Sequence, residues 1–427
     1  MGTQRTFTSM LNDFLPNQLL KEEIIKRDYL LNKVEKDDTW IGASASTGNG
    51  GNLIVPFKAA GASSVSYGQL TASNDVSEDN YVRGQISTQP EVWGSMIFNH
   101  RDLMEHDTIS EKNFLKILPD AINDFMDYLK NVVSTNLLNG APFAHLLTAA
   151  VSSNGIINVD RPDRFVIGQK VIVAGVTNAT AYVLSIDINA QNITLVTTRG
   201  GGVTYDFSAN NVAVNAAVYN DGAQNLAFSS LRGALLSLAN GGTAQLYGQT
   251  KTLYPYLQAI NMNGAAITAA NIVEKCFDAY TVTRRLGKGN PTDIVMSYNN
   301  FGLIMKVIEA SKGAFNVVPN SKKTSQYGWT EIMIGSVTNV ELKFVGVQEM
   351  DDDIIMYLDW RGIKFFSNGF FRKRKSPDGI EYFEVRAQTG YQYIVDICLF
   401  GDIVVNRPSY MGIIYGIALT YPTPGTL

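Results

Sequence analysis

"SEKNFLKILPDAINDFMDYLKNVVSTNLLN", residues 110–139, is the strongest helical stretch in a chain of 427 residues. Ser110 opens an S-x-x-N pattern suited to capping, and Glu111 brings a carboxylate to the first turn. Phe114, Leu118, Ile122, Phe125, Leu129, Val132 and Leu137 fall on one stripe. Pro119 predicts a bend early in the helix, and Gly140 predicts its end. At 1.5 Å per residue such a helix is roughly 40 Å long. An element of that length must lay its apolar stripe on something, so the flanking segments decide the architecture.

Downstream, "DRFVIGQKVIVAGVTNATAYVLSIDINAQNITLVT" (163–197) changes period from helical to alternating. Strands are predicted at 165–167, 171–173, 181–186 and 193–197. Gly168, Gly175, Asn178, Asn189 and the glycines at 200–202 punctuate them. Five or six short strands in about 65 residues predict a small closed barrel, because closure removes exposed edges.

Upstream, 1–38 is polar with one amphipathic run, "LPNQLLKEEIIKRDYLLNKVEK", read as an arm with a helix that docks elsewhere. Residues 53–57 and "NYVRGQISTQPEVWGSMIFNH" (80–100) read as the arms of one long β-ribbon with a polar tip. The ribbon has too little apolar material for a core of its own. It must lie on something, and a neighbouring molecule is the natural candidate.

Beyond 223 the pattern returns to helices, "NLAFSSLRGALLSLAN" and "NIVEKCFDAYTVTRRLG". "TDIVMS" then runs as a buried strand into the helix "YNNFGLIMKVIEASKG". Three strand-rich stretches follow at 332–348, 353–367 and 382–405. The class is α+β, with helices packed on a mixed sheet.

Composition narrows the function. Charged residues make up 17% and hydrophobic ones 45%, with 20 Tyr and 20 Phe. So little charge predicts surface hidden in contacts with other chains. A net charge of −4 argues against tight polyanion binding by the whole chain. Cys276 and Cys398 have no metal or disulfide spacing, which fits a reducing compartment. The N-terminus lacks the apolar core of a signal peptide, and Met1-Gly2 matches lipidation only weakly. "MGIIYGIAL", from Met411, is far short of the roughly 20 residues needed to span a bilayer, so no membrane partner is expected.

No catalytic set is expected, and no metal or cofactor. His100, His106 and His145 lack metal-ligand spacing. No Ser sits in a G-x-S-x-G elbow. "TGNGGNL" and "GKGNPTD" lack phosphate-loop context and read as turns. Asp351, Asp352 and Asp353 could ligate a hard cation, but a solvated hairpin turn is the stronger reading. The N-x-T matches at Asn178 and Asn192 read as turn chemistry. Arg372, Lys373, Arg374 and Lys375, in "FFRKRKSPDG", read as a loop or hairpin tip. They are a candidate DNA-facing or inter-subunit basic patch.

The order of parts resembles the major capsid proteins of tailed bacteriophages, the Hong Kong 97 capsid fold. "PTDIVMSYNNFGLIMKVIEASKGAF" is similar to the strand-then-helix unit of that fold's axial domain. "YFEVRAQTGYQYIVDICLFGDIVVNRPSYMGII" is similar to its closing strands, which re-enter the axial domain after "RP". The resemblance implies an N-terminal arm (1–47), an extended β-ribbon loop (48–105) and a peripheral domain with the spine helix (106–150). It further implies an inserted β-barrel (151–222), an axial domain (223–335), return strands (336–405) and a C-terminal axial strand and tail (406–427).

The implied function is non-catalytic self-assembly into hexamers and pentamers of an icosahedral head enclosing double-stranded DNA. Portal protein is an implied partner, as are separate scaffolding or decoration proteins; DNA is held without sequence specificity. The implied location is the virion capsid, assembled in the host bacterial cytoplasm. Trp40, Lys58, Trp93 and Phe98 are candidate subunit-interface residues, since Trp often dominates interface energy. The cleaved scaffolding segment of some relatives is expected to be absent, with 1–47 alone ahead of the ribbon. Lys58 is the ribbon's lone lysine and lies near its base, so lysine crosslinking is not expected. Two other readings remain open: an encapsulin-like compartment shell, and a carbohydrate-binding protein using Phe165, Tyr182 and Tyr205 of the barrel.

Overall fold

The computed structural model describes residues 28–37, 53–60, 80–86, 90–99, 111–149, 154–175, 180–207, 212–223, 228–287, 289–310, 331–334, 342–367, 372–374, 383–387, 390–419 and 421. In chain order, a short helix α1 (Tyr29–Lys33) precedes β1 (Glu35–Asp37), the ribbon strands β2 (Leu53–Ala60) and β3 (Asn80–Ile86), and β4 (Glu91–Asn99). The long helix α2 (Glu111–Asn139) follows. Then come β5 (Pro142–His145), β6 (Ile156–Asn158), β7 (Lys170–Val173), β8 (Thr180–Asp187), β9 (Asn192–Val196) and β10 (Ala217–Asn220). Helix α3 (Leu231–Leu235) leads into the small hairpin β11 (Gln245–Leu246) and β12 (Gln249–Thr250). Next are β13 (Ile260–Asn263), α4 (Ile272–Leu286), β14 (Asp293–Ser297), α5 (Tyr298–Ala310), β15 (Glu331–Ile334), β16 (Leu342–Val347) and β17 (Ile354–Leu358). The chain ends through β18 (Ile363–Ser367), β19 (Arg372–Lys373), β20 (Phe383–Ala387), β21 (Gly390–Val405) and β22 (Gly412–Tyr415).

Helix α2 runs where its stripe predicts. Ile122, Leu129 and Leu137 are buried in the main core, while Val132 faces the β5–β10 core. Gly140 stops it with φ +111°, its N–H reaching Asn136 O at 3.1 Å. That left-handed backbone is what glycine permits at little cost.

Strands β5–β10 form a six-stranded sheet in the order β5-β10-β7-β8-β9-β6. An antiparallel bridge between Leu146 and Val159 joins the two ends, so the sheet closes on itself. Phe143, Val171, Val183, Leu195, Phe207 and Val218 fill its interior. Two expectations change here. Residues 165–167 are not a strand; they follow a 3-10 turn at Pro162–Arg164. The first strand, Pro142–His145, lies ahead of the expected start at 151 because four residues are too few to show a period.

A second six-stranded sheet, mixed in direction, has the order β13-β22-β17-β14-β16-β15. Its strands alternate between two cores. Ile294, Met296, Ile355 and Tyr357 face α4 and α5, while Val295, Ile354, Met356 and Leu358 face the main core. Burial on both faces is why β17 reads as the unbroken apolar run IIMYL.

The third sheet is organised by β21, which spans 16 residues. Its first part pairs with β20 and β4, Arg372 and Lys373 of β19 pair at Cys398 and Ile397, and its last part pairs with β18. Strand β1 lies parallel to β18. The arm's end therefore docks on its own chain, with Leu30 and Leu31 buried.

The ribbon is shorter than expected. Within the described residues β2 pairs with β3 alone, and β4 leaves for β21. The switch follows Pro90, which cannot donate to a ladder and whose carbonyl accepts from Gly401 N at 3.2 Å. The inner face of the ribbon's base rests on this chain. Leu53, Val55, Phe57 and Ile86 are buried, and Phe57 stacks on Tyr247 at 5.6 Å between centroids. Gly84 lies under that ring, where a Cβ would overlap Phe57.

Candidate functional site: an acidic turn where distant segments meet

The turn between β16 and β17, residues 348–353, collects more long-range polar contacts than any predicted site. From the closed sheet, Arg164 donates to Phe143 O (2.9 Å), Glu349 O (2.7 Å) and Asp351 Oδ1 (2.8 Å). Arg161 donates to Gln348 O (2.8 Å) and Met350 O (3.2 Å) while held by Asp163. From α2, Asn139 Nδ2 donates to Glu349 O at 2.6 Å and Lys130 Nζ reaches Glu349 Oε1 at 2.6 Å. From α3, Arg232 bridges Asp351 Oδ2 (3.1 Å) and Asp353 (3.0 and 2.6 Å). From α5, Asn299 and Asn300 donate to Asp352 Oδ2 and Asp352 O, both at 2.9 Å. From the C-terminal side, Ile417 N reaches Asp353 O at 3.1 Å.

Electrostatics follow this geometry. Burial pushes the Asp163 carboxyl up, but Arg161's hydrogen bonds and charge outweigh it and hold it below the usual range. Burial raises Asp353 against the opposing pull of Arg232. Beside the turn, Asp28 caps α1 by accepting from Leu31 N at 2.7 Å. Burial pushes Asp28 up to about 6, against hydrogen bonds from Ser134 and Leu31.

The arrangement is a clamp. The expected solvated turn is corrected: Asp351 and Asp353 face arginines, and Asp352 faces two asparagines. These contacts leave the three carboxylates little freedom to wrap a cation. Among the described residues no group of three or more His, Cys, Asp or Glu side chains could hold a metal ion. Sequence reasoning missed the clamp because its partners lie 52–219 residues from the turn in the chain.

The other sequence-predicted residues are scattered. Trp40 and Lys375 lie outside the described residues. Lys58 and Phe98 lie in β2 and β4. Trp93, 44% exposed, meets Phe400 edge-to-face at 5.4 Å and the Arg374 guanidinium at 5.6 Å. Arg372 and Lys373 belong to a paired strand, which corrects the hairpin-tip reading. Lys373 is buried, and Arg374 N donates to Asp396 O at 2.8 Å. Of the run's described side chains, Lys373 is buried and Arg374 is exposed.

Phe165 packs edge-to-face on Phe143 at 5.4 Å, and Tyr205 packs on Phe207 at 4.7 Å. Two of the three candidate sugar-stacking rings therefore serve the sheet's own interior. His145 Nδ1 lies 3.7 Å from Asp160 Oδ2, and that hydrogen-bonding partner raises its pKa. Cys276 is buried, its thiol pushed up to about 12. In "GKGNPTD", Gly289 packs against Tyr410 where a Cβ would overlap it, a close-packing role.

No protein-family model matches the sequence, and no curated protein does. Solved structures do match. The cyanophage A-1(L) capsid aligns over 98% of this chain and 95% of that chain, with TM-score 0.46 and 10% identity. The capsid of Myoviridae phage XM1 aligns over 91% of each, with TM-score 0.42 and 8% identity. The holo-SrpI encapsulin complex from Synechococcus elongatus PCC 7942 aligns over 98% and 94%, with TM-score 0.39 and 7% identity. Across most of its length the chain is similar to phage capsid proteins, at low identity.

Proposed function

We propose that this chain is the shell-forming subunit of a tailed-phage head, with the Hong Kong 97-like arrangement its sequence resembles. In this reading β2 and β3 belong to the extended loop, α2 is the spine helix, and the closed sheet β5–β10 is an insertion. The mixed sheet with α4 and α5 is the axial domain, and the β21 sheet is the peripheral one. Copies associate as hexamers and pentamers around double-stranded DNA, with portal, scaffolding and decoration proteins as further partners. The subunit does no chemistry.

One observation carries the reading. The ribbon is pinned at its base yet leaves Ile54 and Tyr81, each 59% exposed, on its outer face. An extended element whose outer face carries exposed Ile54 and Tyr81 beside Arg83 and Gln85, and whose inner face is anchored, suits contact with a neighbouring subunit. The clamp at 348–353 supports it further, by locking the closed sheet, α2, α3 and the mixed sheet into one load-sharing unit. Electron microscopy of the purified protein, with scaffold if needed, tests the proposal. Closed shells of 60n subunits are expected; a persistent monomer under all assembly conditions overturns it.

A further inference from the structure

A cavity of about 410 Å³ opens beside α3, with one wall of Leu235, Leu236, Leu238, Ala244 and Ala259 and the rest of its lining made by serine, threonine, glutamine and asparagine side chains and Lys251. Its one charged lining residue is Lys251, only 5% exposed. The ammonium donates to Gly233 O and Leu236 O, both at 2.8 Å, at the end of α3. Those two carbonyls use two of its three protons. No residue lining the cavity is acidic.

Capping a helix end explains the two carbonyl contacts. It does not explain a buried cation without a counter-charge, which a neutral donor would avoid at lower cost. Burial alone draws this amine down to about 8, so at neutral pH it remains mostly charged. A cavity with a leucine and alanine wall and one positive charge that no acidic lining residue offsets is complementary to a molecule with an apolar body and one anionic end. The volume is within the roughly 300–1,000 Å³ of small-molecule sites.

We propose that this cavity is a binding site for a small amphiphilic carboxylate, its head on Lys251 and its chain among the leucines. The site is independent of the shell-forming role, so the two stand or fall separately. The test is calorimetric titration of the full-length protein with octanoate and, in parallel, with octanol. Octanoate is expected to bind at least about tenfold more tightly, the worth of one charge-assisted contact. Lys251→Met is expected to abolish that preference, and octanoate binding is expected to weaken as pH rises through about 8. Equal binding of the two probes, no binding of either, or a preference that survives in Lys251→Met overturns the proposal. Should Lys251→Met fail to fold, cyanate labelling of the wild-type protein decides. Octanoate, not octanol, is expected to slow carbamylation of Lys251 relative to Lys170, and unchanged labelling overturns the site.

Discussion

Arg232 grips Asp353 with both arms of its guanidinium, Nη1 at 3.0 Å and Nη2 at 2.6 Å from the two carboxylate oxygens, across 121 residues of sequence. The same Nη1 also reaches Asp351 at 3.1 Å. The pair is partly solvated, with side chains 26% and 39% exposed, so its worth is well below that of a buried pair. A double-mutant cycle of Arg232→Met and Asp353→Asn is expected to give a coupling of about 1 kcal/mol in thermal unfolding. Coupling within error of zero would mean that the turn is held by the other contacts alone.

Arg164 is the buried arginine of the clamp, and the consequences of removing it should be local. Arg164→Met removes the bonds to Phe143 O, Glu349 O and Asp351 while keeping most of the volume. Asp351 keeps Arg232, so the expected cost is that of lost hydrogen bonds to a charged group, about 1.5–3 kcal/mol. Hydrogen exchange is expected to quicken in β5 and β7–β10, while amides of β14 keep their protection. Uniform loss across both sheets would show that the arginine supports the whole chain instead of one junction.

These contacts also mark where sequence reading stops. Helix α2, the strand-helix pair β14–α5 and strands β7–β9 were legible because each buries one face at its own period, a local property. Strand β17 was legible for the opposite reason, since its IIMYL run is buried on both sides. The clamp was not legible. "DDD" followed by strands has the composition of a solvated turn, and only the fold brings Arg164 and Arg232 to it. The run from Arg372 was misread in the same way. The Pro-Asp-Gly turn that follows it suggests a tip, whereas the pairing of Arg372 and Lys373 with Cys398 and Ile397 is a property of β21, not of the run.

Asp402 gives a pH test with a definite sign. It is buried in β21 and accepts from Ser229 N (2.7 Å), Ser229 Oγ (2.7 Å) and Ile403 N (2.8 Å). Burial pushes its carboxyl up to about 7, against those bonds. A folded-state value above the unfolded 3.8 means the folded form holds the proton longer. The stability so contributed is full below about pH 4 and is lost as pH rises through about 7. Asp402→Asn keeps a neutral acceptor for the two N–H groups. Its melting temperature is expected to vary less between pH 4 and 8 than the wild type's, with the gap closing toward acid. An unchanged slope would place the pH dependence elsewhere, with Asp28 next to examine.

The ribbon separates folding from assembly. Phe57 is buried against Tyr247 at the base, whereas Ile54 faces outward three residues earlier. Phe57→Ala is expected to cost about 3–5 kcal/mol, because it empties a filled site. Ile54→Asp touches no core, so its melting temperature is expected to stay near the wild type's, within about 1 kcal/mol in stability. If the outer face meets a neighbouring subunit, the aspartate places a charge in an apolar contact. Shell formation, followed by electron microscopy and sedimentation, is then expected to fail in Ile54→Asp even though the monomer is folded. A folded Ile54→Asp protein that assembles as well as the wild type would exclude this face of the ribbon from the contact.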